Sequence, residues 1–383
     1  MLTEQLFDFL AASPSCYHAV QALAERLERS GYAQLREQDA WALTPGGKYF
    51  VTRNGSSLLS FRIPQSAPAG FLMAAAHTDS PTFKIKHNPE KKSGPYVQLS
   101  TEKYGGMLMG TWFDRPLSVA GRVVTAKDGK LETKLVDVDR DLAVIPSVAI
   151  HMNRQANEGY KWNPAVDTLP LIGSAGTAGK LPALLEKEAG GKILGHDLYL
   201  YIRQKASVWG VDEEYISSAA LDDLECAWGC TQGFLKGGDS ASIPVLCVFD
   251  SEEVGSVSPQ GAGSSLLEDT LGRICDGLKL NRGRMLAQSF LVSADNAHAV
   301  HPNHPEYADP GNAPVMGGGL VIKYNANLSY CTDSVSAAVF RKICGRAGVK
   351  VQTYHNRADL PGGSTLGRIS LAHVSVPTVD IGL

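Results

Sequence analysis

Three short, almost wholly apolar segments of the chain end in residues that could bind a divalent cation. The segments cover 70–77, 243–249 and 289–294, and the residues at or just after their C-terminal ends are His77, then Asp250, Glu252 and Glu253, then Asp295. Ligands of open α/β sheets gather at the carboxyl ends of the strands. One imidazole and several carboxylates suit zinc, and also cobalt or manganese. The sequence therefore predicts a metal site at one edge of a sheet.

The stretch AHTDSP places His77 and Asp79 two residues apart. On an extended backbone their side chains point the same way, so Asp79 could accept a hydrogen bond from the far ring nitrogen of His77 and fix its tautomer. Taken alone, the stretch is equally compatible with a strand-end histidine followed by an ordinary turn aspartate.

The stretch CVFDSEEVGS (247–256) puts three mutually repelling carboxylates after an apolar strand. Such a cluster is costly unless a cation compensates it. Adjacent residues of an extended segment face opposite sides, so we expect Glu252 and Glu253 to have different tasks. One would bind metal, and the other would act on metal-bound water as the general base of a hydrolase. The alternative is a solvated acidic loop.

Two further motifs could complete the site. In LDDL (221–224), Asp222 or Asp223 could bridge two metal ions, or could cap the N-terminus of a helix. In SADNAHAVHPN (293–303), His298 and His301 would share one face if the segment is helical.

A glycine-rich stretch, DLPGGSTLG (359–367), lies near the end of the chain. Gly362 and Gly363 allow the backbone to approach a ligand closely and to offer its N–H groups. No Gly-Lys-Ser/Thr follows, so the stretch is not a phosphate-binding P-loop.

The remaining pattern predicts an α/β fold. Residues 3–30, 264–280 and 334–347 show helical periodicity, 49–63 read as a hairpin with an Asn54-Gly55 turn, and 374–381 as a last strand. Short β-type segments separated by turns such as Asp128-Gly129 fill the middle of the chain. We therefore expect a discontinuous α/β domain of residues 1–89 and 213–383, with a β-rich insertion at 90–212.

Composition excludes several classes of function. The net charge is −3, which does not favour nucleic acid or an anionic membrane as a partner. The N-terminal segment lacks a secretion signal, and no apolar run reaches the roughly 18 residues of a membrane span. Seven cysteines, mostly in apolar segments, are typical of buried reduced thiols. These features predict a cytoplasmic protein.

Taken together, the ordered motifs resemble the aspartyl aminopeptidase family of two-zinc metallopeptidases. The matching segments are AHTDSP, LDDL, FDSEEVGS, SADNAHAVHPN, VIKYNAN and PGGSTLG, with IPSVAIHMNRQANEG (145–159) resembling the family's insertion. The resemblance implies a mixed-sheet, zinc exopeptidase-like catalytic domain with an inserted β-rich dimerisation domain. It also implies a homo-oligomer, a dodecamer built from dimers.

The resemblance assigns a role to each candidate residue. It implies that Asp222 bridges two zinc ions, that Glu252 is the general base and that Asp79 supports His77. The zinc ligands implied in addition to Asp222 are His77, Glu253 and Asp295. The implied substrate contacts are His298, Lys323, Tyr330, the glycines Gly362 and Gly363, and His151, which would reach the site of a neighbouring subunit.

The implied reaction is release of N-terminal amino acids from peptides, with Lys323 pairing an acidic first side chain. The family usually has arginine where this chain has Ala220, and it has a further histidine ligand after the last strand, whereas the given chain ends at Leu383. Two alternatives follow, a broader aminopeptidase or amidohydrolase and a catalytically impaired oligomeric scaffold.

Overall fold

The structure, a computed structural model, describes residues 2–383. Its α-helices are α1 (Leu2–Ala11), α2 (Cys16–Arg29), α3 (Lys180–Ala189), α4 (Leu221–Lys236), α5 (Leu266–Gly277), α6 (Arg282–Ala287), α7 (Ser334–Ala347) and α8 (Leu366–Ser370). Within these residues, none of the helices combines the length and the apolar character needed to cross a bilayer.

The β-strands alternate with these helices only in the second half of the chain. They are β1 (Ala33–Leu35), β2 (Lys48–Arg53), β3 (Ser57–Arg62), β4 (Phe71–His77), β5 (Thr82–Ser93), β6 (Tyr96–Tyr104), β7 (Leu117–Lys127), β8 (Lys130–Asp137), β9 (Leu171–Ser174), β10 (Ile193–Ile202), β11 (Ser207–Trp209), β12 (Tyr215–Ser217), β13 (Ile243–Phe249), β14 (Phe290–Ala294), β15 (Leu320–Tyr324), β16 (Val351–His355) and β17 (Thr378–Gly382).

The chain divides into two compact units. The first comprises the N-terminal residues through Phe9, Ala19–Asp79 and Ala220–Leu383, and the second comprises Leu10–His18 and Ser80–Ala219. These units divide after Asp79 and Ala219, whereas the expectation from the sequence put the divisions after residues 89 and 212. The difference at the first division arises because β5 begins at Thr82 and pairs with strands of the second unit.

A nine-stranded mixed sheet forms the first unit, in the order β1-β2-β3-β13-β4-β14-β17-β15-β16. Its centre is parallel, since β4 pairs with both β13 and β14, and β14 pairs with β17. Strands covered on both faces are expected to be almost continuously apolar, and β4, β13 and β14 have that composition. The carboxyl ends of these three strands therefore lie side by side.

Helices bury the central strands. Phe71 and Met73 of β4 share a buried cluster with Leu266 and Ile274 of α5, and α4 packs against β4, β13 and β14. Each fully buried side chain of this size stabilises the fold by about 1.5–3 kcal/mol relative to its exposed state. The packing gives the strand ends a rigid support.

The local sequence signals account for the connections. Asn54 and Gly55 both have positive φ angles, as the turn between β2 and β3 requires, so the predicted hairpin is confirmed. The predicted helices at 264–280 and 334–347 are confirmed as α5 and α7. The N-terminal pattern is interrupted near Pro14 and forms two helices rather than one.

The second unit contains a six-stranded antiparallel sheet in the order β8-β7-β10-β5-β6-β9. Asp128 and Gly129, with positive φ angles, turn β7 into β8. A buried cluster that includes Phe83, Val119 and Leu198 packs beneath α3. The β-rich character predicted for the middle of the chain is confirmed, although α3 was not predicted.

Candidate metal centre

His77 is the last residue of β4 and is 1% exposed. Its Nε2 atom faces three carboxylates, at 3.5 Å from Asp222, 3.8 Å from Asp295 and 3.9 Å from Asp223. Its Nδ1 atom lies 3.0 Å from the backbone carbonyl of Asp79 and 3.4 Å from the carboxylate of that residue. The carbonyl, rather than the carboxylate predicted from the sequence, is thus the nearer partner that orients the ring.

Asp222 and Asp223 begin α4, where both have non-helical backbone angles. The two side chains lie in different environments: that of Asp222 is 55% exposed, whereas Asp223 is fully buried. Asp223 accepts the backbone N–H of His77 through one oxygen at 3.0 Å, and its other oxygen is buried without a hydrogen-bond partner. The sequence left open which of the two would face a metal, and the structure brings both to His77.

Asp295 follows β14 and pairs with a buried lysine. The Nζ atom of Lys323 lies 3.4 Å from the Asp295 carboxylate and donates a hydrogen bond to the carbonyl of Asn296 at 2.7 Å. Burial raises the pKa of Asp295, but its hydrogen bond to His77 and the charge of Lys323 outweigh burial, so the pKa lies below its ordinary value. Asp295 is thus held as an anion at the edge of the site.

The acidic turn after β13 is held by Asp79. One carboxylate oxygen of Asp79 accepts the backbone N–H of Glu252 and the other accepts that of Glu253, both at 3.1 Å. Glu252–Val254 form a single turn of 3₁₀ helix, so the alternation expected for an extended segment does not apply here. Asp79 therefore positions both glutamates through their backbone rather than through their side chains.

The same burial and charge perturb the titration of these glutamates. Burial, with the nearby charges of Asp295, Asp79 and Asp222, raises the pKa of Glu252 to about 7 although His77 opposes it. Burial and neighbouring carboxylates likewise raise the pKa of Glu253 to about 8. Burial alone would lower the pKa of His77, but the surrounding carboxylates, led by Asp223, raise it well above 6.5. The site thus concentrates negative charge.

Asp250, the first carboxylate of the acidic stretch, does not belong to this group. Its oxygens accept hydrogen bonds from the Ser56 hydroxyl at 2.7 Å, the Gln260 amide at 2.9 Å and the Ser251 backbone N–H at 2.7 Å. Of the three carboxylates that the sequence grouped together, Asp250 is therefore compensated by hydrogen bonds from the protein. Only Glu252 and Glu253 remain to be compensated by a cation.

The donor set fits a zinc ion. Among residues 2–383, one group of four offers ligand atoms within 4.8 Å of one another, and it consists of His77, Asp222, Asp223 and Asp295. One imidazole with carboxylates suits zinc, and the unpartnered buried oxygen of Asp223 is costly unless a cation or donor reaches it. Glu253, a ligand in the expectation from the sequence, lies outside this group of four.

Three of the residues expected to contact substrate, Lys323, Tyr330 and His298, lie in the first unit. Lys323, 2% exposed, has its Nζ atom 5.6 Å from the ring centre of Tyr330. His298 is exposed, and its ring lies 6.1 Å from that of Tyr354, which is itself 6.3 Å from the ring of Tyr330. Tyr354 was missed because no motif marks it, and only its register opposite Lys323 in β16 brings it here.

Gly362, Gly363 and His151 are exposed. A side chain at position 362 would meet the amide of Asn356 at 2.5 Å, so any larger residue there would require that amide to move. At Gly363 a side chain would meet open space. His151 lies in a turn of the second unit.

A mixed sheet that carries an imidazole and carboxylates at the ends of its central parallel strands defines a zinc exopeptidase-like hydrolase. The sequence model of the family described as aminopeptidase I zinc metalloprotease (M18) matches residues 9–383. A relative named "Probable M18 family aminopeptidase 2", from Clostridium acetobutylicum, is 43% identical over 394 residues, covering 99% of this chain and 91% of the relative.

Solved structures give the same result. The structure titled as the Ape4 and Nbr1 complex matches with a TM-score of 0.95 and 37% identity, over 99% of this chain and 79% of that one. The mApe1 dodecamer of S. cerevisiae matches with a TM-score of 0.87 and 25% identity, over 100% of this chain and 90% of that one. The chain therefore belongs to the M18 family of zinc metalloproteases and is an aminopeptidase, which confirms the family and fold class predicted from its motifs.

Proposed function

We propose that this aminopeptidase releases N-terminal aspartate and glutamate from peptides, with two zinc ions in each subunit. The observation that carries the acidic specificity is Lys323, a lysine that is 2% exposed and lies beside the candidate metal ligand Asp295. Buried lysines are rare unless paired. A cation retained here, next to the reacting centre, supports recognition of a negatively charged first side chain.

The zinc ions would be held by side chains from three strand ends and the start of α4. Asp222, with a carboxylate that can be shared, would lie between the two ions, and the remaining ligands would be His77, Glu253 and Asp295. When bound, the ions would polarise the scissile carbonyl and make a water molecule more acidic. Metal binding requires anionic carboxylates and a neutral imidazole, so the ions would displace the protons that the raised pKa values of His77 and Glu253 favour.

Glu252 would act as the general base. In the metal-free protein its pKa is about 7, near the value that suits proton transfer at neutral pH. The backbone N–H of Glu252 donates to Asp79, which holds the turn that carries the carboxylate. It would take a proton from the attacking water and pass it to the leaving amine.

Lys323 would bind the acidic side chain of the substrate. An ammonium group has three N–H donors, of which one binds the Asn296 carbonyl and another faces Asp295. The third would bind a substrate carboxylate. Tyr330 and His298 would contact the substrate beside it, and the exposed backbone at Gly362 and Gly363 would offer N–H groups.

The M18 relatives also support a proposal on assembly. The S. cerevisiae relative is a dodecamer, and we propose that this chain forms a dodecamer through dimers of its second unit. His151, exposed in that unit, would contribute to the site of a neighbouring subunit. The assembly would have about twelve times the 40.9-kDa mass of one chain.

The central test measures metal content and activity together. After zinc loading and dialysis we expect two zinc ions per subunit, and faster release of Asp and Glu than of Leu from otherwise identical peptides. Glu252→Gln should keep its zinc but lose about 10²–10⁴-fold in kcat. Full activity in this variant would remove the general-base assignment, and zinc near zero in the wild type would favour the scaffold alternative.

The role of His151 across subunits can be tested by mixing. His151→Ala and Glu252→Gln should each be nearly inactive as pure assemblies. In reassembled mixtures a His151→Ala subunit keeps Glu252 and can receive His151 from its Glu252→Gln neighbour, so activity should return in part. Mixtures that stay as inactive as their components would contradict action in trans.

A further inference from the structure

We propose that Asp380 is a positioning residue for substrate binding, because its carboxylate joins the two loops that would contact the substrate. The loops are the one that follows Tyr330 and the glycine-rich loop before α8. This inference rests on the proposed function, which assigns the substrate contacts to these loops, and it adds a residue to which that function gives no role.

The carboxylate of Asp380 is fully buried in β17 and accepts a hydrogen bond from each loop. Its Oδ1 atom accepts the hydroxyl of Thr365 at 2.7 Å, and its Oδ2 atom accepts the backbone N–H of Cys331. The backbone N–H of Asp380 also donates to the hydroxyl of Thr332 at 2.9 Å. One residue therefore holds segments that lie far apart in the chain.

Each donor is directly connected to an expected substrate contact. Cys331 follows Tyr330 immediately, so the bond at Cys331 fixes the backbone that carries the Tyr330 ring. Thr365 follows Gly362-Gly363-Ser364 and comes immediately before α8, so its bond fixes one end of the glycine-rich loop. A shift of Asp380 would move both contacts with respect to each other.

The carboxylate of Asp380 lies close to the backbone of α8. A side chain at Gly367 would come within 2.8 Å of both the Asp380 carboxylate and Ser293, which shows how closely α8 packs on this part of the sheet. Asp380 is also the register partner of Ser293 in the parallel pair β14–β17. Asp295, the candidate metal ligand, lies two residues after Ser293. Asp380 therefore connects the two loops to β14, the strand that ends at the metal centre.

A buried carboxylate that loses one of its hydrogen-bond donors is destabilised. Its position is then less restricted, so the geometry of its remaining hydrogen bond is less well defined. Loss of the Thr365 hydroxyl should therefore loosen the Cys331 loop as well as the glycine-rich loop. Because both loops would bind substrate without taking part in bond cleavage, the effect should fall on KM rather than on kcat.

The test compares Thr365→Val with the rescue variant Thr365→Ser in the zinc-loaded full chain. For an Asp-peptide, Thr365→Val should raise KM about tenfold with kcat and zinc content within twofold of the wild type, and Thr365→Ser should restore KM. Thr378→Val serves as a matched control, since its hydroxyl is also buried in β17 but donates to the Val376 carbonyl. The control should leave KM unchanged.

Hydrogen exchange gives a second readout that does not depend on turnover. In Thr365→Val, amides of residues 328–333 should exchange faster, whereas in Thr378→Val they should not. If KM and this exchange both stay at wild-type values while only the thermal midpoint falls, Asp380 has a purely structural role and the inference is wrong. If wild type releases no amino acid from any peptide, the proposed function is wrong. The hydrogen-exchange result then still tests whether Asp380 connects the two loops. Faster exchange of 328–333 in Thr365→Val would support that connection, and unchanged exchange would overturn it.

Discussion

The ammonium group of Lys323 lies 3.4 Å from the carboxylate of Asp295, at the carboxyl edge of the nine-stranded sheet. The two residues come from β15 and from the end of β14, with β17 between these strands. The pair connects the proposed specificity cation to a candidate metal ligand. Any change at Lys323 should therefore be judged by substrate preference and by metal content together.

We predict that Lys323→Met lowers the turnover of Asp-peptides relative to Leu-peptides by about 10- to 100-fold, because a charge-assisted hydrogen bond to the substrate is lost. Methionine keeps most of the volume of the lysine stem. The measurement is kcat/KM for two peptides that differ only in the first residue. Lys342→Met, on the exposed face of α7, is the control and should leave the ratio unchanged.

If the ratio for Lys323→Met matches that of wild type, the lysine serves Asp295 and not the substrate. In that case the change would appear in zinc content, since Asp295 would lose its buried partner. The two outcomes separate specificity from support of the metal ligand.

Metal-free protein should lose stability as pH rises from about 5 to above 8. His77, Glu252 and Glu253 all have pKa values raised by the folded state, so each binds its proton more tightly when folded than when unfolded. Such groups contribute stability that is fully present below their unfolded pKa and is lost as pH rises through the folded pKa. Asp295, with a lowered pKa, acts in the opposite direction but only below about pH 4.

The measurement is the thermal midpoint of chelated and zinc-loaded protein at pH 6 and pH 8. The zinc-dependent increase should be larger at pH 8, because bound cations then replace the missing protons. An increase that is equal at both values, or larger at pH 6, would contradict the titration assigned to these three residues.

The sequence was sufficient to place the strand ends. Continuous apolar segments identify central parallel strands, and the first polar residues after them must lie at one edge of the sheet, which brought His77 and Asp295 into one site. The hairpin at Asn54-Gly55 and the helix α7 were predictable for the same reason, since their signals are local.

Long-range hydrogen bonds could not be read from the sequence. Asp250 looked like a partner of Glu252 and Glu253, but its donors Ser56 and Gln260 are brought to it only by the folded sheet and loop. The different burial of Asp222 and Asp223 was also hidden, because it depends on where α4 meets β4.

Replacing Asp79 by asparagine should reduce kcat about 10- to 100-fold while most of the zinc is retained. Both carboxylate oxygens of Asp79 accept backbone N–H groups, from Glu252 and Glu253. An asparagine amide would present a donor to one of these N–H groups, so the turn that carries the general base would shift. Turnover at saturating peptide and zinc per subunit are the measurements.

Asp333→Asn is the matched control for this substitution. Asp333 also accepts a backbone N–H, from Ser336 at the start of α7, but asparagine is an equally good N-cap. The control should keep wild-type kcat. Wild-type kcat in Asp79→Asn would show that the position of Glu252 does not depend on this carboxylate.

Replacement of Asp222 and of Asp223 by alanine should affect zinc binding and the thermal midpoint differently. The Asp222 side chain is 55% exposed, so Asp222→Ala should lose zinc while the metal-free protein keeps nearly its wild-type thermal midpoint. Asp223→Ala leaves the buried backbone N–H of His77 without its acceptor, which costs about 1–3 kcal/mol.

Asp223→Ala should therefore lower the midpoint of the metal-free protein, and by more than Asp222→Ala does. The comparison must be made on metal-free samples at pH 6, because zinc would add its own stabilisation to whichever variant still binds it. The relief of crowded negative charge works against this loss in both variants, so the difference between them reports the His77 hydrogen bond. Equal midpoints would mean that this hydrogen bond adds no net stability, and retained zinc in Asp222→Ala would move the bridging role to Asp223.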